Sequence, residues 1–142
     1  MSSYKRYQLP TIYSNGDVLI LNTEKGILTR LAEQEIIEQQ LLSDIEMYVI
    51  VELLENYPEY CPFEVLLSAH TNVALDKCRQ QVLWALDEGT IDVVMRPVRN
   101  TVSRCRVKLR PFGIGITALL ETGYTLTPLA RKEARRVTAE RY

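Results

Sequence analysis

Apolar positions change their period along this chain, and the changes mark out its elements. Short apolar runs come first. YQL at 7–9 and TIY at 11–13 precede SNGD at 14–17, a turn signature. VLIL at 18–21 reads as a strand, and TEKG at 23–26 as a second turn leading into ILT. These runs predict a small antiparallel sheet over residues 1–28. From Thr29 the spacing becomes helical, with Leu31, Ile37, Leu41, Ile45 and Tyr48 on one face. Ser43 and Glu46 have the spacing of a capping box, so one helix is expected to end near 42 and another to begin at 44. The second, DIEMYVIVELLEN, is apolar on most sides and reads as the central core helix. YPEYCP at 57–62 breaks it, and Pro62 suits the first turn of the next helix, PFEVLLSAH. After a link at Thr71-Asn72 a further helix is expected over about 73–88. Leu75, Cys78, Val82 and Leu86 form its buried stripe and Gly89 its stop. Trp84 lies off that stripe and is expected to pack against a neighbouring element.

The next stretch, RNTVSRCRVKLRPFG at 99–113, fits two periods. As a strand it sets Arg104, Arg106, Lys108 and Arg110 on one face against Cys105, Val107 and Leu109 on the other, a pattern that also protects sheet edges. As a helix over 98–110 it buries Val98, Val102, Cys105 and Leu109, spaced four, three and four. Asn100 would cap its start, and Pro111 and Gly113 would end it. The residues after Gly113 favour the helix. IGITAL at 114–119, LETG at 120–123 and YTLT at 124–127 make a strand, a turn and a strand. Helix, helix, basic helix and hairpin is the order of a winged helix-turn-helix. A rival register takes 63–70 and 73–88 as the helix-turn-helix and 91–110 as a basic hairpin. Its reading helix would offer Lys77, Arg79, Gln80 and Gln81 beside Asp76 and Asp87, poor equipment for phosphates.

The predicted fold class is therefore α+β, a winged helix-turn-helix with a small N-terminal antiparallel sheet and a C-terminal β-hairpin wing. One domain spans 1–142: strands over 1–28, helical core, recognition helix and wing over 29–127, and a last helix over 128–142. Thr127 would cap that last helix, with Pro128 at its first position.

Charge sharpens this reading. Residues 1–95 carry six Lys/Arg and fifteen Asp/Glu, a net of −9, whereas residues 96–142 carry eleven and three, a net of +8. Such a division points to a polyanion partner for the basic part. Catalysis has little to stand on. Cys61, Cys78 and Cys105 are far apart and sit in apolar surroundings, which predicts buried hydrophobes and neither a disulfide framework nor a metal site. His70 is the sole histidine and reads as a surface or capping residue. No glycine-rich phosphate loop or nucleophile elbow is present. A non-enzymatic protein without cofactor is expected. The N-terminus lacks the apolar stretch of a signal peptide, and no apolar run is long enough to span a membrane, so a cytoplasmic location is expected.

The run VSRCRVKL at 102–109, followed by Ile116 and GYTL at 123–126, resembles the DNA-binding domain of OmpR/PhoB-type response regulators. That family shows a recognition helix of the form I-s-R-L-R-x-K-L and a wing of the form I-x-T-V-x-G-x-G-Y-R-L, after a small N-terminal sheet. Leu31-Ala-Glu33 is a loose counterpart of its L-T-x-x-E entry into the first core helix. The resemblance covers 98–127 by motif and the rest by architecture. There are departures. No receiver domain is expected within these 142 residues, the connection before the basic helix is longer, and Leu120, Glu121 and Thr125 stand where the family often has Arg, Gly and Arg.

The resemblance implies double-stranded DNA as partner and transcription regulation as role. Arg99 and Ser103, near the start of the proposed helix, would meet base edges. Arg104, Arg106, Lys108 and Arg110 would meet phosphates, with Arg131, Lys132, Arg135 and Arg136 extending the basic surface. The competing reading is a protein-interaction module, as a homodimer or adaptor. Its acidic docking face would be built from Glu33, Glu35, Glu38, Glu46, Glu52 and Glu55. RNA binding is less well supported, because basic strands rich in aromatics are missing.

Overall fold

A computed structural model describes residues 3–129. Four strands open the chain: β1 (Tyr4–Gln8), β2 (Val18–Asn22), β3 (Ile27–Ala32) and β4 (Glu35–Leu41). They form an antiparallel meander in the order β1-β2-β3-β4. Leu19 and Leu21 of the central strand β2 share one face with period two, and both are buried with Leu28 of β3. The expected strand at 11–13 is instead a turn, in which the amides of Ile12 and Tyr13 both donate to the carbonyl of Leu9. Leu9 and Tyr13 thereby reach the core.

The helix expected from Thr29 does not form. Residues 27–32 pair with β2, and residues 35–41 pair with 27–32. Ladder bonds to β3 outweigh the helical spacing, and the β-branched pair Ile36-Ile37 sits well in a strand. The boundary at 28 between strands and helical core therefore moves to 42.

From Ser43 onward the chain is helical. The capping box is present: the Glu46 amide donates to Ser43 Oγ, and the Ser43 amide donates to Glu46 Oε1 at 2.8 Å. It opens α1 (Asp44–Asn56), whose Val49, Ile50, Leu53 and Leu54 are buried. A two-residue strand, β5 (Cys61–Pro62), leads into α2 (Phe63–Thr71). Then comes α3 (Leu75–Glu88), closed by Gly89 in the left-handed conformation at φ 73°. The helix α4 (Ile91–Leu109) follows, and a 3-10 turn at Arg110–Phe112 ends it. The last strands are β6 (Ile114–Leu119) and β7 (Gly123–Pro128), in a second sheet ordered β5-β7-β6. Gly123 is required there, because a Cβ would lie 2.1 Å from the Cys61 carbonyl oxygen.

The segment that fitted two periods is thus helical, which removes the rival register with a hairpin at 91–110. The helix begins at Ile91, seven residues before the expected start, and Asn100 lies inside it and not at its cap. Ile91, Met95, Val98, Val102, Cys105 and Leu109 line its buried side at spacings of four, three, four, three and four. Pro97 sits within it. Pro97 cannot donate to the Val93 carbonyl one turn back, but Val93 is exposed and water can take the donor's place. All three cysteines are free and buried, as expected. Thr127 and Pro128 belong to β7 and do not begin a helix. The expected helix beyond them, with Arg131, Lys132, Arg135 and Arg136, lies outside the described residues.

The N-terminal sheet is tied to the end of α4. Tyr13 Oη donates to the Phe112 carbonyl at 2.6 Å, and Arg30 Nη1 donates to the same oxygen at 3.1 Å. Arg30 also pairs with Asp17 at 2.8 Å and lies over the Tyr13 ring at 4.2 Å. No described helix is long and apolar enough to cross a membrane.

Candidate nucleic-acid interface

The periodicity that buries one side of α4 exposes the other. Val93, Arg96, Asn100, Ser103, Val107 and Arg110 follow one another at spacings of three, four, three, four and three, and all are exposed. They form one solvent-facing stripe. On one flank stand Arg99 and Arg106, on the other Arg104 and Lys108. The hairpin of β6 and β7 borders the first flank, since Arg106 Nε donates to the Ile116 carbonyl at 2.9 Å. Strand β4 and α1 border the second, through Lys108, whose Nζ donates to the Leu41 carbonyl at 3.0 Å.

The six residues singled out in the sequence have distinct situations. Ser103 and Arg110 are exposed on the stripe. Arg99 lies beside it and pairs with Asp92 at 2.6 Å. Both partners are solvated, so the pair holds Arg99 only weakly. Arg106 is partly covered by the hairpin, with its guanidinium 5.9 Å from the centre of the Tyr124 ring. Arg104 and Lys108 converge on Glu46 of α1, at 3.5 and 2.6 Å.

Glu46 is only 3% exposed, so this carboxylate sits inside the protein. Burial pushes its pKa up, but hydrogen bonds from Lys108 and Ser43 and the Lys108 charge outweigh burial, and the net displacement is downward. Glu46 is therefore ionised, and its single negative charge offsets one of the two positive charges of Lys108 and Arg104. Further along, Arg104 Nη2 donates to Thr101 Oγ1 at 3.1 Å, and the same oxygen is 2.9 Å from His70 Nε2 of α2. The histidine expected at the surface is thus half-buried in a network. Burial, and then the Arg104 charge, push its pKa down. The Cys105 thiol is pushed up to about 12, mainly by burial, so it is an inert core group.

Sequence reasoning missed Arg96 and Val107 and misassigned Asn100. The signal that finds them is the polar complement of the buried stripe, readable once the helix is started at 91. The hairpin, by contrast, adds no cation. Glu121 is the one charged side chain in residues 111–129, and the tip residue Leu120 is 91% exposed.

Two of the six glutamates proposed as an acidic docking face are engaged within the chain. Glu46 turns inward, and Glu55 pairs with Lys5 at 3.3 Å while accepting from Tyr7 Oη at 3.0 Å. Among the described residues no group of three or more His, Cys, Asp or Glu side chains could hold a metal ion. No family model, curated protein or solved structure matches this chain.

Proposed function

We propose that the chain is a winged-helix protein that binds double-stranded DNA sequence-specifically and acts as a cytoplasmic transcription regulator. Binding, not catalysis, is the function proposed. Helix α4 is the recognition helix and the β6–β7 hairpin the wing. The observation that carries the reading is the exposed stripe of α4. It holds side chains suited to base edges: Arg96 and Arg110 for guanine, Asn100 for adenine, Ser103 for either, and Val107 for a thymine methyl. A helix of about 10 Å diameter fits the major groove, and this one keeps a stripe exposed along its length.

The charge distribution limits the strength of binding. The six cations Arg96, Arg99, Arg104, Arg106, Lys108 and Arg110 are offset by the single charges of Glu46 and Asp92, which leaves a net of about four positive charges for DNA. At about −0.9 per phosphate neutralised, log affinity should fall against log salt with a slope of about −3 to −4. The hairpin can add backbone amides and the hydroxyls of Thr117 and Thr125, but no charge pairs. A fluorescence-anisotropy titration of a labelled mixed-sequence duplex over a range of salt tests the reading. Salt-dependent binding with that slope supports it; no binding at low salt, or a flat salt response, defeats it.

A further inference from the structure

Trp84, expected to pack against a neighbouring element, does not: it is 71% exposed, beside Leu83 at 61%. Both lie on α3. We infer that the α3–α4 corner is a docking surface for an amphipathic helix of a partner protein, apolar on one face and lined by Lys or Arg. This surface is separate from the proposed DNA-binding stripe.

Three features meet there. The first is shape. Gln81, Trp84, Ala85, Glu88, Thr90 and Val94 line a groove of about 390 Å³ between α3 and the first turns of α4. Positions 81, 84, 85 and 88 follow the helix repeat, so the groove runs along α3, and buried Ala85 leaves its floor shallow enough for a second helix to approach.

The second is chemistry. An exposed Trp at the edge of a groove is the composition of an interface anchor. Trp84 is also held in place, its Nε1 donating to Glu88 Oε1 at 3.3 Å, which lowers the ordering cost of binding.

The third is charge. Asp87 and Glu88 are exposed around the groove, whereas the nearby Asp92 is already paired with Arg99. This rim favours a cationic partner and disfavours a second copy of the chain, because a two-fold contact would face these carboxylates with themselves.

Trp84 is the only tryptophan of the chain, so its emission reports directly on the surface. The experiment titrates the full chain with two synthetic helical peptides sharing one leucine stripe, one flanked by Lys/Arg and the other by Glu. The cationic peptide should shift Trp84 emission to the blue, with affinity that falls as salt rises, and the acidic peptide should not. Trp84→Ala, and separately Asp87→Lys with Glu88→Lys, should weaken the cationic peptide at least tenfold by anisotropy of a labelled copy. The thermal melt and the salt slope for duplex DNA should stay unchanged.

Three results would overturn the inference. Both peptides could bind equally, neither could shift the emission, or the blue shift could appear with protein concentration alone, which would make the patch a contact between copies. None of them bears on DNA binding, which the duplex titration decides separately.

Discussion

Lys108 Nζ stands 2.6 Å from Oε1 of Glu46, so a cation that the sequence offers to phosphate is held by a buried carboxylate. The pair joins α4 to α1 and fixes the height of the helix. Lys108→Met should cost about 2–3 kcal/mol in a urea melt. That is less than the roughly 3–5 kcal/mol of a fully buried pair, because Arg104 still faces the carboxylate and Lys108 is partly solvated. The same variant should change duplex affinity by less than twofold. A neutral effect on stability with a large loss of binding would return Lys108 to the phosphate contacts.

Acid should loosen this joint. The folded-state pKa of Glu46 is lowered, so its contribution is fully present above the ordinary carboxylate value of about 4.3 and is lost as pH falls through the lower folded value. His70 acts earlier. Its folded pKa is also lowered, so below about 6.5 the unfolded chain takes up the proton first, and stability declines as pH falls. Urea melts at pH 7.5 and 5.5 should show a loss of stability in the wild type. The loss should be smaller in His70→Gln, and equal losses would place the cause elsewhere.

The register of α4 is open to a paired substitution. Leu109 is 1% exposed and Val107 59%, though only two residues separate them. Leu109→Ala should cost about 2–5 kcal/mol as a buried deletion, whereas Val107→Ala should fall within about 0.5 kcal/mol of the wild type. Denaturant midpoints in the opposite order would refute the stripe.

The parts of the fold legible in the sequence are those where local chemistry and burial agree. Ser43 and Glu46 cap α1, and Val98, Val102, Cys105 and Leu109 mark the buried side of α4. Strand β4 was hidden for a physical reason. Ile36, Ile37 and Leu41 are all exposed on an edge strand, so no alternation exists to be read, and its Glu and Gln residues suit a helix equally well. The start of α4 was hidden by Pro97, which ends most helices but is tolerated here beside an exposed turn. That error displaced the candidate site: with the start at 98, Arg96 fell outside and Asn100 became a cap. The capture of Lys108 and Arg104 by Glu46 joins residues some sixty positions apart, beyond any local pattern.

Base reading should fall to Asn100 and Arg96 more than to Arg99. In a selection from random duplexes, Asn100→Ala and Arg96→Ala should each relax one position of the preferred site, at about 1–3 kcal/mol of discrimination apiece. Arg99→Ala, whose side chain is shared with Asp92, should keep the site and lose affinity uniformly. Relaxation by Arg99→Ala alone would reverse the assignment.

The central claim is that α4 presents its exposed stripe to a duplex, and amide chemical-shift mapping tests it most directly. On addition of a mixed-sequence duplex at low salt, perturbations should concentrate at Arg96, Asn100, Ser103, Val107 and Arg110 and along the adjoining hairpin. The Leu83–Trp84 surface should stay unchanged. Perturbations centred on α3 or on the N-terminal sheet, with α4 unmoved, would contradict the account.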